Sequence, residues 1–320
     1  MHSPRLARLT HSRDASTTGP QRTGIALVAS AGIAWGTAPV AFYIVYQRTS
    51  LGAVAISAHR LAIAAAVLLA VVLVRGHLRT VRSQLRGHSR PVVLVGAGIA
   101  GYQVLWFAAI PHIGASVATV LSLGLAPILL TAWESIRRRH RPGPAQLAIV
   151  AAAVLGLALI SLSTTTGLHT SARPVLGLTL ACTSGVLYAV TTALSRRLAS
   201  TVSTLTLTTS TTTVGALLLM PIAIAVGPVT TAEPIAVLAL GYLGIVTMAL
   251  GYGLLFAGLR TTGAASAVIA TLLEPVTATL LAVVLLNENL PPAAILGIGL
   301  ILAAVASLNT RSPRQSTSMA

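Results

Sequence analysis

Residues 263–286 read GAASAVIATLLEPVTATLLAVVLL. Glu274 is the only ionisable residue in this stretch, and Pro275 follows it. An α-helix of about 20 apolar residues crosses the ~30 Å hydrocarbon core of a bilayer. The stretch is therefore predicted to be a membrane-spanning helix with a carboxylate near its middle.

Comparable apolar stretches recur along the whole chain. Of its 320 residues, 55% are hydrophobic and 8% are charged, whereas a soluble domain carries about 25% charged residues. The stretches are continuously apolar rather than alternating, which excludes an outer-membrane barrel. We predict an all-α integral membrane protein with ten transmembrane helices, at about 24–46, 52–74, 92–110, 114–133, 145–163, 174–194, 203–226, 235–257, 263–286 and 292–308.

The basic residues indicate an orientation. All 21 are arginine, and eighteen fall in segments that are cytoplasmic if the N-terminus lies inside. Only Arg48 and Arg173 fall in outer loops, and Arg60 lies within a span. Cytoplasmic loops of membrane proteins carry an excess of basic residues. We therefore predict a multi-pass plasma-membrane protein with cytosolic tails at 1–22 and 309–320.

The two halves of the chain repeat each other. Because each half contains five predicted helices, an odd number, the two copies are expected to lie in opposite orientations across the membrane. Inverted repeats of this kind are used by transporters for alternating access around a midplane site. The repeats are placed at 23–165 and 170–308 on these matches: Gly24, Gly32 and Trp35 with Gly177, Gly185 and Tyr188; Gly101, Tyr102, Ala115 and Ser116 with Gly251, Tyr252, Ala265 and Ser266; Pro127, Pro144 and Ala145 with Pro275, Pro292 and Ala293.

Several short motifs occur in a characteristic order: Trp35-Gly36, Arg60 in the second span, Leu273-Glu274-Pro275, and Glu288. With the two five-helix copies, this order resembles the EamA-like family of the drug/metabolite transporter superfamily. The resemblance covers about residues 24–308 and implies export or exchange of small metabolites, amino acids or drugs. The first copy departs from the pattern, because Ala126 and His140 stand where the second copy has Glu274 and Glu288.

Two charged residues lie inside predicted spans. A charge at the bilayer centre costs at least ~2.5–3.5 kcal/mol and is usually retained for function. Glu274 is a candidate for proton coupling or for binding a substrate ammonium group; the alternative is a protonated side chain that only packs against a neighbouring helix. Arg60 is a candidate counter-charge for Glu274 or for a substrate carboxylate; the alternative is a side chain that extends to the outer headgroups.

Further candidates are polar or aromatic residues within spans, and most of them stand at repeat-matched positions. Buried Tyr and Trp need hydrogen-bond partners and also form good walls for an organic substrate. Proline interrupts the backbone hydrogen bonds of a helix, so two prolines are predicted helix breaks. The substrate candidates are Trp35, Tyr102, Gln103, Tyr188 and Tyr252, and the helix breaks are Pro127 and Pro275.

The sequence therefore predicts a secondary active transporter with alternating access, with proton coupling through Glu274 left open. Its expected partners are a small-molecule substrate, protons and the lipid bilayer, and not nucleic acid. No metal-ligand spacing or phosphate loop is present, so no cofactor is predicted. The alternative is an integral-membrane enzyme acting on lipid-linked substrates. Substrate, direction and oligomeric state do not follow from the sequence.

Overall fold

The computed structural model describes residues 19–163, 173–286 and 290–310, and within these ranges every regular element is helical. Glu288 lies outside them. A π-helical segment, Leu243–Leu250, joins α8 to α9. The α-helices are α1 Gly19–Gly36, α2 Ala38–Arg48, α3 Ala53–Val74, α4 Leu78–Arg138, α5 Pro144–Ser163, α6 Pro174–Ala199, α7 Thr204–Val226, α8 Pro234–Tyr242, α9 Gly251–Leu259, α10 Ala264–Ala270, α11 Leu273–Leu286 and α12 Pro292–Thr310.

Eight helical stretches of the described chain are long and apolar enough to cross a membrane, and Pro292–Leu308 is a shorter apolar helix. Large aliphatic side chains also cover the outside of the bundle, including Val74 at 89% exposure and Leu238 at 75%. A water-soluble surface rarely carries such extended apolar area. The predicted class, an all-α integral membrane protein, is confirmed.

Helix α4 contains 61 residues, which at 1.5 Å per residue is about 90 Å, three times the thickness of a hydrocarbon core. It is interrupted at Gly114, where φ is 76° and ψ is 157°. A side chain is strained at this positive φ, and glycine is not. Gly114 begins the fourth predicted span, so the chain changes direction where the sequence placed the turn between the third and fourth spans.

Three predicted spans are not continuous α-helices. Thr37 separates α1 from α2, and Thr271 and Leu272 separate α10 from α11. Each break is followed two or three residues later by a proline, Pro39 or Pro275, which has no backbone N–H to donate. The third interruption is the π-helical segment between α8 and α9.

The segment 75–90, which connects the second and third predicted spans, is mostly helical in the structure. Helix α4 begins at Leu78 and passes through Pro91 into the third span. Val81 is buried and Leu85 is partly buried against the core. One apolar side chain per turn is sufficient to hold this arginine-rich segment as a helix.

Helices from the two halves of the chain pack on each other. Helix α1 packs on α9, α10 and α11, α3 packs on α7, and α5 packs on α12. Glycines permit the closest approaches. A Cβ atom at Gly156 would lie 2.7 Å from the Gly297 carbonyl oxygen, and one at Gly297 would lie 2.6 Å from that of Gly156. Small residues allow such helix packing inside membranes.

Polar contacts join the two halves at both ends of the bundle. At one end, Arg48 Nη1 donates to Glu233 Oε1 at 3.1 Å. At the other, the backbone N–H of Ala265 donates to Glu134 Oε1 at 3.3 Å, and that of Ser203 donates to Gln84 Oε1 at 3.1 Å. The Arg48–Glu233 contact and the Glu134–Ala265 contact lie at opposite ends of the 26-residue helical stretch Pro234–Leu259.

The Glu233 contact predicts a pH dependence of stability. The backbone N–H of Ile235, 2.8 Å away, lowers the pKa of Glu233, and Arg48 lowers it further. A carboxylate with a lowered pKa stabilises the fold above its unfolded pKa of about 4.3, and this contribution disappears as the pH falls through the folded value. Between pH 7 and pH 3, wild-type protein should lose slightly more thermal stability than Glu233→Gln. Equal losses in a thermal unfolding assay would contradict this, and the effect is small because the pair is exposed.

Candidate functional site

Glu274 lies in the first turn of α11, directly after the break at Thr271 and Leu272. Its backbone N–H donates to the Thr271 carbonyl at 2.9 Å. Helix α1 ends against this turn: a Cβ atom at Gly36 would lie 2.5 Å from the Glu274 carbonyl oxygen. The carboxylate is therefore presented at a helix break that packs on the first half of the chain.

Arg60 and Trp35 meet at one residue, Thr247, in the π-helical segment. Arg60 Nη2 donates to Thr247 Oγ1 at 3.1 Å, and Trp35 Nε1 donates to the Thr247 carbonyl at 2.6 Å. Thr247 is fully buried. The Arg60 side chain thus points into the bundle rather than towards the headgroups. π-Helical turns are rare and occur frequently at functional sites.

Arg60 and Glu274 interact electrostatically but do not form an ion pair. No nitrogen–oxygen distance between them is within 4.0 Å, and Arg60 Nε has no hydrogen-bond partner among the described residues. A buried donor without a partner costs about 1–3 kcal/mol. Such groups occur where a ligand or water is accommodated. The unpartnered Arg60 Nε and the separate Glu274 carboxylate are therefore polar groups available to a ligand.

Four aromatic residues form one cluster beside this pair. The rings of Trp35 and Tyr252 lie 5.2 Å apart, and those of Tyr102 and Tyr188 lie 5.3 Å apart. The hydroxyls of Tyr102 and Tyr252 are 3.0 Å apart and join the two ring pairs. The Tyr188 hydroxyl lies 3.2 Å from Thr271 Oγ1, next to the helix break. Helices α1, α4, α6 and α9 each supply one ring, so the cluster lies between the two halves.

The exposure of these residues follows a pattern. Trp35, Tyr188 and Tyr252 are buried, whereas Arg60, Tyr102 and Glu274 are each partly exposed. The two charged residues and Tyr102 are therefore not completely enclosed by the packed core, although Arg60 Nε itself is fully covered.

The family model of the EamA-like transporter family matches residues 22–162 and again residues 175–310. The chain belongs to this family. Its membership confirms the resemblance predicted from the sequence motifs. Because the family consists of transporters, it points to transport rather than to an enzymatic activity.

Two relatives of this EamA-like protein are also named as transporters. The uncharacterised transporter YwfM of Bacillus subtilis strain 168 is 28% identical over 229 residues, which cover 72% of this chain and 76% of YwfM. The uncharacterised inner membrane transporter YicL of Salmonella typhimurium strain LT2 is 25% identical over 302 residues, covering 93% of this chain and 99% of YicL. A crystal structure with 24% identity covers 92% of this chain and 96% of its own, with a TM-score of 0.72, and shows the same fold.

Not every predicted site residue of the EamA-like chain joins the cluster. The Gln103 amide donates to the Ile99 carbonyl of its own helix at 3.1 Å and makes no other described bond. Pro127 is buried within α4, and the helix continues on both sides of it. Pro275 does follow a break. The two residues that sequence reasoning missed are Thr247 and Thr271, which hold Arg60, Trp35 and Tyr188.

Proposed function

We propose that this EamA-like protein is a secondary active transporter that exports or exchanges a small metabolite, amino acid or drug by alternating access. The observation that supports this most is the unpaired Arg60–Glu274 site. The two charges come from different halves of the chain, are only partly exposed and lie beside a cluster of four aromatic rings. A solute held between the halves is released to either side when they rock relative to each other.

The chemistry of the site defines what it can hold. The guanidinium of Arg60 has a free Nε beside an Nη already bound to Thr247, and a planar guanidinium binds carboxylates through two parallel hydrogen bonds. Glu274 is suited to an ammonium group, or to a proton taken up in its place. The rings of Trp35, Tyr102, Tyr188 and Tyr252 bind the organic part of the substrate.

The proposal includes two inverted five-helix repeats, at 23–165 and 170–308. The ring pair Trp35–Tyr252 corresponds to Tyr188–Tyr102 at offsets of 153 and 150, with the halves exchanged. The glycine contacts of α1 and α6 correspond in the same way. A Cβ atom at Gly24 would meet Thr261 and Thr262, and one at Gly177 would meet His112 and Ile113. Contacts that exchange in pairs support a two-fold relation between the repeats.

Ten spans follow if α4 is divided at Gly114 and Pro292–Leu308 is counted with the eight longer stretches. With the arginine-rich ends inside, both termini lie in the cytoplasm and the protein lies in the plasma membrane. The polar contacts at the two ends of the bundle support this arrangement. Arg48 meets Glu233 and Glu134 meets the N-terminus of α10, and in both contacts the proposal puts the two partners on the same side of the membrane.

The topology can be tested by cysteine labelling in a Cys182→Ala background. Ser83, Arg138 and Thr230 are all exposed, so each tolerates a cysteine. Cysteines at 83 and 138 should resist a membrane-impermeant maleimide in intact cells and react after permeabilisation. A cysteine at 230 should react in both conditions. Labelling of 83 and protection of 230 in intact cells would reverse the orientation.

The transport activity itself can be tested in proteoliposomes that contain a trapped pH indicator. A panel of amino acids, organic cations and organic anions is added outside, with and without an imposed pH gradient. We expect at least one class to enter against its own gradient only when the pH gradient is present. Equilibration without accumulation for every solute that enters would show a facilitator rather than a secondary active transporter.

A further inference from the structure

The arginines at the start of α4 share one face of the helix. Arg79, Arg82, Arg86 and Arg90 are spaced by three, four and four residues. At 3.6 residues per turn, their Cα atoms fall within an arc of about 80° and extend over ~16 Å of helix. All four side chains are exposed, and none forms a hydrogen bond or ion pair with a described residue. We call this surface the arginine stripe.

The segment that carries the stripe is fixed at the end of the bundle. Val81 and Val92 are buried and Leu85 is partly buried on its other face. Gln84 accepts a hydrogen bond from the backbone N–H of Ser203, at the start of α7. The stripe is therefore held at the level where α3 ends and α7 begins, which the proposed topology puts at the headgroups of the cytoplasmic leaflet.

An apolar groove lies beside the end of α3. Val67, Ala70, Val71 and Val74 line it, Arg75 closes it at the cytoplasmic end, and its volume is about 350 Å³. Its length from Val67 to Val74 is ~10 Å along the helix. An open apolar groove that ends at a cation is complementary to an acyl chain attached to an anionic headgroup. Only three residues separate Arg75 from Arg79.

Within the described part of the chain, no carboxylate pairs with the arginine stripe. The protein has 21 basic and five acidic residues. Of the acidic ones, Glu233 pairs with Arg48, Glu134 binds the N-terminus of α10 and Glu274 lies within a span. Orientation by the positive-inside rule requires basic residues on one side, but it does not require them on one face of a folded helix. The guanidinium group matches phosphate oxygens through paired hydrogen bonds.

We propose that the arginine stripe and the neighbouring groove form a binding site for an anionic phospholipid of the cytoplasmic leaflet. The phosphate group binds Arg75 and the nearest stripe arginines, and one acyl chain occupies the groove along α3. The remaining arginines bind adjacent anionic headgroups. Clustered basic residues next to a membrane bind anionic headgroups together, so the stripe acts as one patch.

The test uses the purified full-length protein in detergent with equimolar dioleoyl phosphatidylglycerol and dioleoyl phosphatidylcholine, and counts the lipids retained by native mass spectrometry. The main variant preserves composition: Thr80→Arg with Arg82→Thr, and Ser89→Arg with Arg90→Ser. Both new positions are exposed, and the exchange widens the arc of the four arginines from about 80° to about 180° while leaving the net charge and the orientation signal unchanged.

We expect wild-type protein to retain phosphatidylglycerol in preference to phosphatidylcholine, and the rearranged variant to lose about fivefold or more of that preference. The matched control replaces four exposed arginines at another cytoplasmic site, Arg137, Arg138, Arg139 and Arg141, with Gln, and it should keep the preference. No preference in wild-type protein, or an equal preference in the rearranged variant, would refute the site. Displacement of phosphatidylglycerol by a short RNA at equal charge would also refute it.

The groove has its own test. Ala70 is exposed and lines the groove, so Ala70→Trp fills it with little effect on the core. This variant should retain fewer molecules of both lipids, whereas Ala70→Ser, the control, should retain as many as wild-type protein. Unchanged retention in Ala70→Trp would show that no acyl chain occupies the groove.

Discussion

Glu274→Gln is expected to abolish accumulation of substrate against its gradient while exchange of substrate for substrate continues. Glutamine preserves the shape and the hydrogen-bonding capacity of the side chain but cannot release a proton. Net coupled flux requires the carboxyl group to change its protonation during the cycle, whereas exchange returns the site to the same state each time. Within the described spans, Glu274 is the only carboxylate that can take this role.

The measurement compares gradient-driven uptake and counterflow in proteoliposomes that contain equal amounts of inserted protein. Glu233→Gln makes the same chemical change outside the spans and should still accumulate substrate against its gradient, because it removes no titratable group from the site. Glu274→Asp should retain part of the activity with a shifted pH optimum, because the shorter acid still titrates. Normal accumulation by Glu274→Gln would show that the residue serves packing and that coupling occurs elsewhere.

Gly297→Leu is expected to prevent assembly of the bundle. A Cβ atom at this position would lie 2.6 Å from the Gly156 carbonyl oxygen and 3.1 Å from the backbone nitrogen of Ile160. Backbone atoms cannot move aside as a flexible side chain does, so α12 would have to separate from α5. Overpacking typically lowers the stability of the folded protein by 1–3 kcal/mol. A collision with backbone atoms belongs at the upper end of this range, about 3 kcal/mol.

Two residues further along the same helix, Gly299 provides the control. A Cβ atom there would meet nothing within 4 Å. Gly299→Leu adds the same side chain to α12 on the outside of the bundle and should leave the yield and melting temperature of the solubilised protein unchanged. Similar losses in the two variants would mean that leucine is harmful for its bulk in the helix and not for the contact with Gly156.

Those site residues that stand out by composition or by position in the repeats could be predicted from the sequence. Hydropathy located the spans. The repeat offsets selected Trp35, Tyr102, Tyr188 and Tyr252, which the structure brings into one cluster. A charged residue within an apolar stretch can be recognised without any knowledge of packing, and Arg60 and Glu274 were identified in this way.

The rest depends on contacts between distant segments, which a local pattern does not contain. Thr247 is one of many hydroxyl residues in the spans, and only the fold shows that it holds both Arg60 and Trp35. The π-helical segment around it has no local signature for the same reason. The helical start of α4, by contrast, does have a local signature, because the spacing of Val81, Leu85 and Val92 places them on one face of a helix.

The polar contacts at the two ends of the bundle have a consequence for how solution conditions affect the protein. Arg48–Glu233 is an ion pair, whereas the contact between Glu134 and the Ala265 backbone joins a charge to a neutral amide. Added salt screens the first more strongly than the second. Added salt is therefore expected to loosen the bundle at the Arg48 end more than at the Glu134 end.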